Sequence, residues 1–299
     1  MQLDLFEDNR PGILLNIADE YLQTLDFEKA LSVCEQVRDE YPDNRQAPGL
    51  CTFIQTWLDM ISGIDPSSCH PAQLHDLLIN LESVSHPPLK TAGKNVVANL
   101  LQALPEPDFV FLPPRFHLGH VLLDLGRFAE AMVSFRNALS SPGLERGRFL
   151  TWSADAITLS GKVDDALNVY LQALLEDPDT IDFSFIKHQT IQKLHLHCSS
   201  QADGIEEVDE VAWLPVWGWL QGVFPLPLQH PPAYDELELQ IADKALPIPR
   251  LWYNLLTLAE FLRTEHRNDR QMAAVRRLMK RLQKDMFECY MQKIRGTKQ

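Results

Sequence analysis

Residues 115–143 read RFHLGHVLLDLGRFAEAMVSFRNALSSPG, and residues 150–178 read LTWSADAITLSGKVDDALNVYLQALLEDP. The two stretches align over their whole length. A third, LLNIADEYLQTLDFEKALSVCEQVRDEYP at 14–42, follows the same pattern more loosely. Small residues recur at Ala18, Gly119 and Ala154, and again at Ala30, Ala131 and Ala166. Self-similarity at this period is the mark of stacked helix pairs, each too small to bury its apolar face alone. Two antiparallel helices approach closely only where side chains are small, and larger neighbours fill the space that remains. Tyr21, Phe27, Phe128, Phe135 and Tyr170 stand in those filling positions.

This pattern resembles the tetratricopeptide repeat. In that family a small residue sits midway along the first helix, two more sit on the second, and a proline closes the unit. Here the second-helix pairs are Ala131 with Ala138 and Ala166 with Ala173, while the first copy has Ala30 but Val37, a departure expected to loosen its packing. The closing prolines are Pro42, Pro142 (one place early) and Pro178, since proline cannot donate the next helical hydrogen bond. The resemblance is strong over 112–178, good over 11–44 and absent elsewhere. It implies an all-α protein, an α-α superhelix of helical hairpins over about 1–200, followed by a divergent helical region over 201–299. Ala18 and Gly119 are 101 positions apart, close to three repeats, so 45–110 has room for two eroded units. Apolar runs there are separated at Asp65-Pro66, His86-Pro87-Pro88 and Leu104-Pro105. A helical insertion with its own packing is the other reading.

In arrays of this family the first helix of each pair lines a concave groove, with inward side chains at i, i+4 and i+7. On the matching positions the groove would hold Leu15, Asp19 and Leu22, then Phe116, His120 and Leu123. The third copy would add Thr151, Asp155 and Thr158, with Arg148 at its entry. The family's lysine-and-asparagine clamp for a free carboxylate is not reproduced, because Leu15, Phe116 and Thr151 stand where its lysine belongs. The resemblance therefore implies a groove for an extended peptide or a partner helix. A C-terminal half that folds back would fill the same groove.

Bulk properties agree with a globular protein. The 299 residues are 45% hydrophobic and 23% charged, ordinary values for a chain able to bury a large core. The start, MQLDLFEDNRPG, is acidic and lacks the apolar run of a secretory signal. Five scattered cysteines, Cys34, Cys51, Cys69, Cys198 and Cys289, point to reduced thiols and a cytoplasmic setting. The net charge is −14, unevenly spread: residues 250–299 carry 12 Lys+Arg against 5 Asp+Glu. Nucleic acid would be repelled by the acidic remainder.

The basic end reads as one long helix over 268–294, with Met272, Val275, Met279, Leu282, Met286 and Cys289 forming an apolar seam. Three uses compete: packing on the preceding run LWYNLLTLAEFLRTEH, a homodimer seam, or a basic amphipathic helix for an acidic partner or nucleic acid. The last would make the chain a nucleic-acid-associated regulator, the alternative to a scaffold.

Between these regions, Phe183 to Cys198 reads as helix. The run Glu206-Glu207-Val208-Asp209 resembles a chaperone tail that some tetratricopeptide domains capture, but it is internal, and free ends are what such domains take. Three tryptophans, Trp213, Trp217 and Trp219, lie in an uncharged stretch broken by Pro215, Pro225 and Pro227. A continuous membrane span is incompatible with those breaks. The aromatics either bury against the helices or form an exposed docking patch.

Chemistry is sparse. Gly93-Lys94-Asn95 lacks the spacing and hydroxyl of a phosphate loop, and neither His-Glu-x-x-His nor Gly-x-Ser-x-Gly occurs. His188, His195, His197 and Cys198 do not converge on one helix face, and Cys69, His70 and His75 surround a turn. Carboxylate pairs such as Asp164-Asp165 sit at helix starts, where they complement the dipole. The expectation is a non-enzymatic protein-binding scaffold with no metal and no cofactor.

Overall fold

The structure, a computed structural model, describes residues 9–64, 69–141, 143–201, 210–265 and 269–296. Fifteen α-helices and no strand occur among them. The chain divides into two compact units, Met1–Ala138 and Leu139–Gln299. The first contains α1 (Arg10–Gln23), α2 (Phe27–Glu40), α3 (Ala47–Ser62), α4 (Pro71–Glu82), α5 (Pro87–Ala103), α6 (Leu118–Asp124) and α7 (Phe128–Ala138). The second contains α8 (Arg146–Leu159), α9 (Val163–Glu176), α10 (Gln189–Gln201), α11 (Leu214–Leu220), α12 (Tyr234–Ala242), α13 (Ile248–Thr264), α14 (Asp269–Leu282) and α15 (Lys284–Gly296).

The three aligned stretches fold as three helix pairs, α1 on α2, α6 on α7, and α8 on α9. They share one turn, bond for bond. Leu25, Gly126 and Gly161 occupy the same repeat position, and all three have positive φ, 61°, 74° and 88°. The next residue in each case donates its N–H five places back: Asp26 to Tyr21 (2.9 Å), Arg127 to Leu122 (2.9 Å) and Lys162 to Ile157 (3.2 Å). This is the left-handed C-cap that consumes a helix's orphan carbonyls and reverses the chain. Glycine adopts it freely, whereas Leu25 pays about 1 kcal/mol for its Cβ.

Small residues do what the alignment requires. Ala18, Ala30, Ala131, Ala138, Ala154, Ala166 and Ala173 are fully buried. A Cβ built on Gly119 would stand 2.5 Å from Cε1 of Phe135, so α6 and α7 touch through a bare backbone and a ring. Val37 is fully buried as well; the larger side chain is absorbed into the core of the first pair rather than left loose. Pro42 follows the end of α2 and Pro178 the end of α9; Pro142 lies outside the described residues.

Residues 45–110 hold three helices among those described, not the four of two regular units. α5 packs on α4, on α6 and back on α1. Gly93 makes that possible at its crossing, where a Cβ would meet Leu81 at 2.5 Å and Trp57 at 3.1 Å.

In the second unit α8 begins without a side-chain cap of its own. Its early amides are instead taken from one repeat later, Gly147 N–H by Asp177 Oδ2 (3.2 Å) and Arg148 N–H by Thr180 Oγ1 (3.2 Å). The expected helix from Phe183 starts only at Gln189; before it, His188 Nδ1 accepts the Thr190 N–H at 3.2 Å and ends the preceding turn.

The basic end differs from a single long helix. It breaks at Gln283 into α14 and α15 with no proline or glycine at the break. Packing explains this: Met279, Met286 and Tyr290 all bury in one core with Trp252, and a change of direction brings both helices to it. Trp252 Nε1 donates to the Met279 carbonyl (3.1 Å), and the Tyr290 hydroxyl reaches the buried Glu260 (3.1 Å). Most of the apolar seam is therefore consumed within its own unit, mainly against α13.

Candidate functional site

The first unit contains an open cleft of about 490 Å³ where α1, the start of α3 and the start of α5 meet. Each wall follows from its local sequence. α1 presents Gly12, Leu15 and Asp19 along one face, positions spaced for a single stripe. α3 opens under Asn44, whose Oδ1 accepts the N–H groups of Gln46 (2.9 Å) and Ala47 (3.0 Å). α5 opens at His86-Pro87-Pro88, with His86 Nδ1 accepting the Leu89 N–H at 3.3 Å. Gly49, on α3, leaves the cleft floor open, since a Cβ there would meet nothing within 4 Å. Phe53, one turn on, is 41% exposed at the rim.

The charge in the cleft is Asp19. Its side chain is 27% exposed and stands 3.2 Å from His86 Nε2. The contact is an ion-pair approach, and the buried Oδ1 has no hydrogen bond. Because Nδ1 of His86 is occupied as an acceptor, the imidazole proton of the neutral ring is on Nε2. Burial raises the Asp19 carboxyl above its ordinary value, and His86 offsets this only in part. A partly buried carboxylate thus faces a single imidazole across the cleft.

Phe53 also borders a second cavity of about 250 Å³, between α3, the end of α4 and α5. Trp57, Met60, Leu81, Val84 and Leu89 give it apolar walls. The Trp57 indole N–H is buried with no hydrogen-bond partner.

Of the ten groove positions expected from the repeat, Leu15 and Asp19 meet in the cleft. Others turn inward and serve the fold. Leu22, Phe116 and Leu123 are core residues of the first unit, Phe116 lying edge-on to His75 at 5.1 Å. His120 is half-buried beside Asp124, Arg115 and Lys94, and desolvation pushes it down to about 4. In the second unit Thr151 and Thr158 return their hydroxyls to their own helix, to the carbonyls of Gly147 (2.7 Å) and Ala154 (2.9 Å). Asp155, 3% exposed, accepts from the Tyr170 hydroxyl and from the Lys187 N–H (2.7 Å). Arg148 pairs with Glu145 at 2.5 Å. These eight are held by packing and internal polar bonds because the midline of a short helix faces its partner helix as much as the groove.

The tryptophans fall in the core of the second unit. Trp213 is 3% exposed and meets Trp252 at 6.0 Å; Trp217 and Trp219 are partly buried against the same cluster. Lys293 covers Trp219 at 4.9 Å. Burying indoles closes this unit, fully at Trp213 and in part at Trp217 and Trp219. The histidines are likewise engaged: His195 stacks on Phe183 (4.0 Å), His197 meets Gln221 (3.2 Å), and His70 caps α4. Among the described residues no three His, Cys, Asp or Glu gather as a metal site, and no helix is long and apolar enough to cross a membrane. The Glu206–Asp209 run lies outside the described residues.

Phe53, Gly49 and His86 were not among the expected site positions. One signal for Phe53 is in the sequence: α3 buries Leu50, Cys51, Ile54 and Trp57, and an aromatic outside that stripe is out of pattern. His86 reads as a mere break before two prolines.

Comparison with known proteins agrees with this architecture. Residues 113–142 match the family model described as Tetratricopeptide repeat. No curated protein and no solved structure matches the chain. The chain is all-α and tetratricopeptide-like, with one repeat matched by the family model and two more sharing its turn.

Proposed function

We propose that this protein is a non-catalytic interaction scaffold of the cytoplasm, and that a partner protein docks in the cleft formed by α1, α3 and α5. The family is one whose helical hairpins generally bind other proteins, and that coarse role is what the repeat match carries. The observation that carries the finer reading is the cleft itself: an open floor at Gly49, an exposed aromatic rim at Phe53 and an under-compensated carboxylate at Asp19. Exposed aromatics beside a polar anchor are the composition of a binding hot spot. Cys34, Cys51, Cys198 and Cys289 are free thiols, which agrees with a reducing compartment. The division of the chain by repeat character at residue 200 is retained within this proposal, alongside the packing division after Ala138.

The test is affinity capture from the protein's own cells with wild type and with Gly49→Leu. The new side chain enters open space, so the fold is retained while the cleft is filled. Proteins retained by wild type should be lost by the variant. Retention of the same set by both removes the cleft from the account.

A further inference from the structure

We infer that the cleft reads a lysine or arginine side chain of its partner, placed on Asp19, with an apolar neighbour of that residue seated in the adjoining cavity behind Phe53. The inference rests on the docking reading above and names the chemistry of the occupant.

Three observations select a cation over an anion. First, Asp19 is partly buried, its Oδ1 lacks a hydrogen bond, and the group facing it is an imidazole whose other nitrogen is committed to capping α5. An incoming ammonium or guanidinium on the exposed part of the carboxylate supplies a full countercharge. Second, the helix starts that border the cleft are poor anion sites. α5 begins with two prolines, which have no N–H, and Pro48 stands at the second position of α3. The Gln46 and Ala47 amides are already taken by Asn44. Most of the amides that usually attract phosphate or carboxylate at a helix start are therefore missing or used. Third, the sequence of the whole first unit, residues 1–138, contains 19 Asp+Glu against 9 Lys+Arg, so its field attracts a basic segment.

The apolar half of the recognition follows from Phe53. It borders both the Asp19 cleft and the second cavity, so a chain crossing its ring delivers one side chain to each side. The second cavity holds about 250 Å³, room for one aliphatic or aromatic side chain. Trp57 adds a buried donor with no partner, which a ligand carbonyl can satisfy.

Selection of a random dodecapeptide phage library on the immobilised full chain tests this at physiological salt. Enriched peptides should carry Lys or Arg next to an apolar residue. A synthetic peptide of the enriched sequence should bind Asp19→Asn at least about tenfold more weakly, the scale of one charge-assisted contact. Glu40→Gln, an equal charge change on α2 away from the cleft, should leave affinity within about twofold. Enrichment of acidic peptides or of free C-terminal carboxylates would overturn the inference. So would equal losses in Asp19→Asn and Glu40→Gln, which would mean bulk charge alone. If Gly49→Leu still abolishes partner capture while the selected peptides are not basic, the docking reading survives and this inference fails.

Discussion

Replacing Gly119 with alanine sets helix propensity against packing, and the structure says which wins. Alanine gains about 1 kcal/mol over glycine in a helix. Its Cβ, however, would lie 2.5 Å from Cε1, 2.7 Å from Cδ1 and 3.0 Å from Cζ of Phe135. Comfortable carbon contacts are about 3.5–4.0 Å, so the ring must retreat by roughly 1 Å. It has nowhere to go, being 0% exposed and stacked on the His117 imidazole at 5.6 Å. His117 in turn accepts the Gly119 N–H at 3.0 Å and directs Nε2 at the Asp108 carbonyl at 2.8 Å, so displacing it loosens the start of α6. Overpacking of this kind costs about 1–3 kcal/mol. With a cap bond of about 1 kcal/mol at risk and the helix gain set against both, net destabilisation is about 1–3 kcal/mol. Two compact units make a single global unfolding energy ambiguous, so the measurement is hydrogen–deuterium exchange on peptides covering 115–141. Phe135→Leu should partly relieve the clash, giving a favourable coupling of about 1 kcal/mol in a double-mutant cycle. If Gly119→Ala is neutral or protective, or couples to nothing at 135, the close-contact account of this hairpin is wrong.

Other outcomes follow from single residues. Leu25→Gly releases the left-handed strain at φ 61° and should raise the local stability of the α1–α2 pair by up to about 1 kcal/mol, read by the same exchange method. Asp155→Ala should destabilise the second unit by about 1–3 kcal/mol, read by hydrogen–deuterium exchange on its peptides, since the Tyr170 hydroxyl and the Lys187 N–H lose their acceptor, yet leave partner capture unchanged. Acid should loosen the first unit. Burial lowers His117 below 6.5 and takes His120 to about 4, so the unfolded chain binds more protons, and stability falls as pH drops from about 6.5 towards 4. The His120 share is at most about 3 kcal/mol, and a pH series of exchange rates with His120→Gln should flatten that limb.

The repeats were legible because close packing writes itself into residue size. Gly119 opposite Phe135 and the buried alanines could hardly be read otherwise. At the shared turn glycine takes the left-handed position in two copies, Gly126 and Gly161, whereas at Leu25 tertiary contacts impose a conformation leucine disfavours. Two of the ten groove positions line the cleft. Leu15 and Asp19 reach the cleft, whereas Asp155 and Phe116 were drawn inward by partners far along the chain, Lys187 and His75, that no local spacing reveals. The break at Gln283 has the same origin. The seam of Val275, Met279 and Met286 is continuous as sequence, and only the position of Trp252 decides that two helices serve it better than one.

The account turns on where the partner sits. A photo-reactive benzoylphenylalanine at position 53, on the cleft rim, and another at exposed position 239 on α12 can be compared in living cells of the source. The account predicts a discrete cross-linked partner from position 53, absent from position 239 and abolished by adding Gly49→Leu. No adduct from position 53, or the same adduct from both positions, would contradict it.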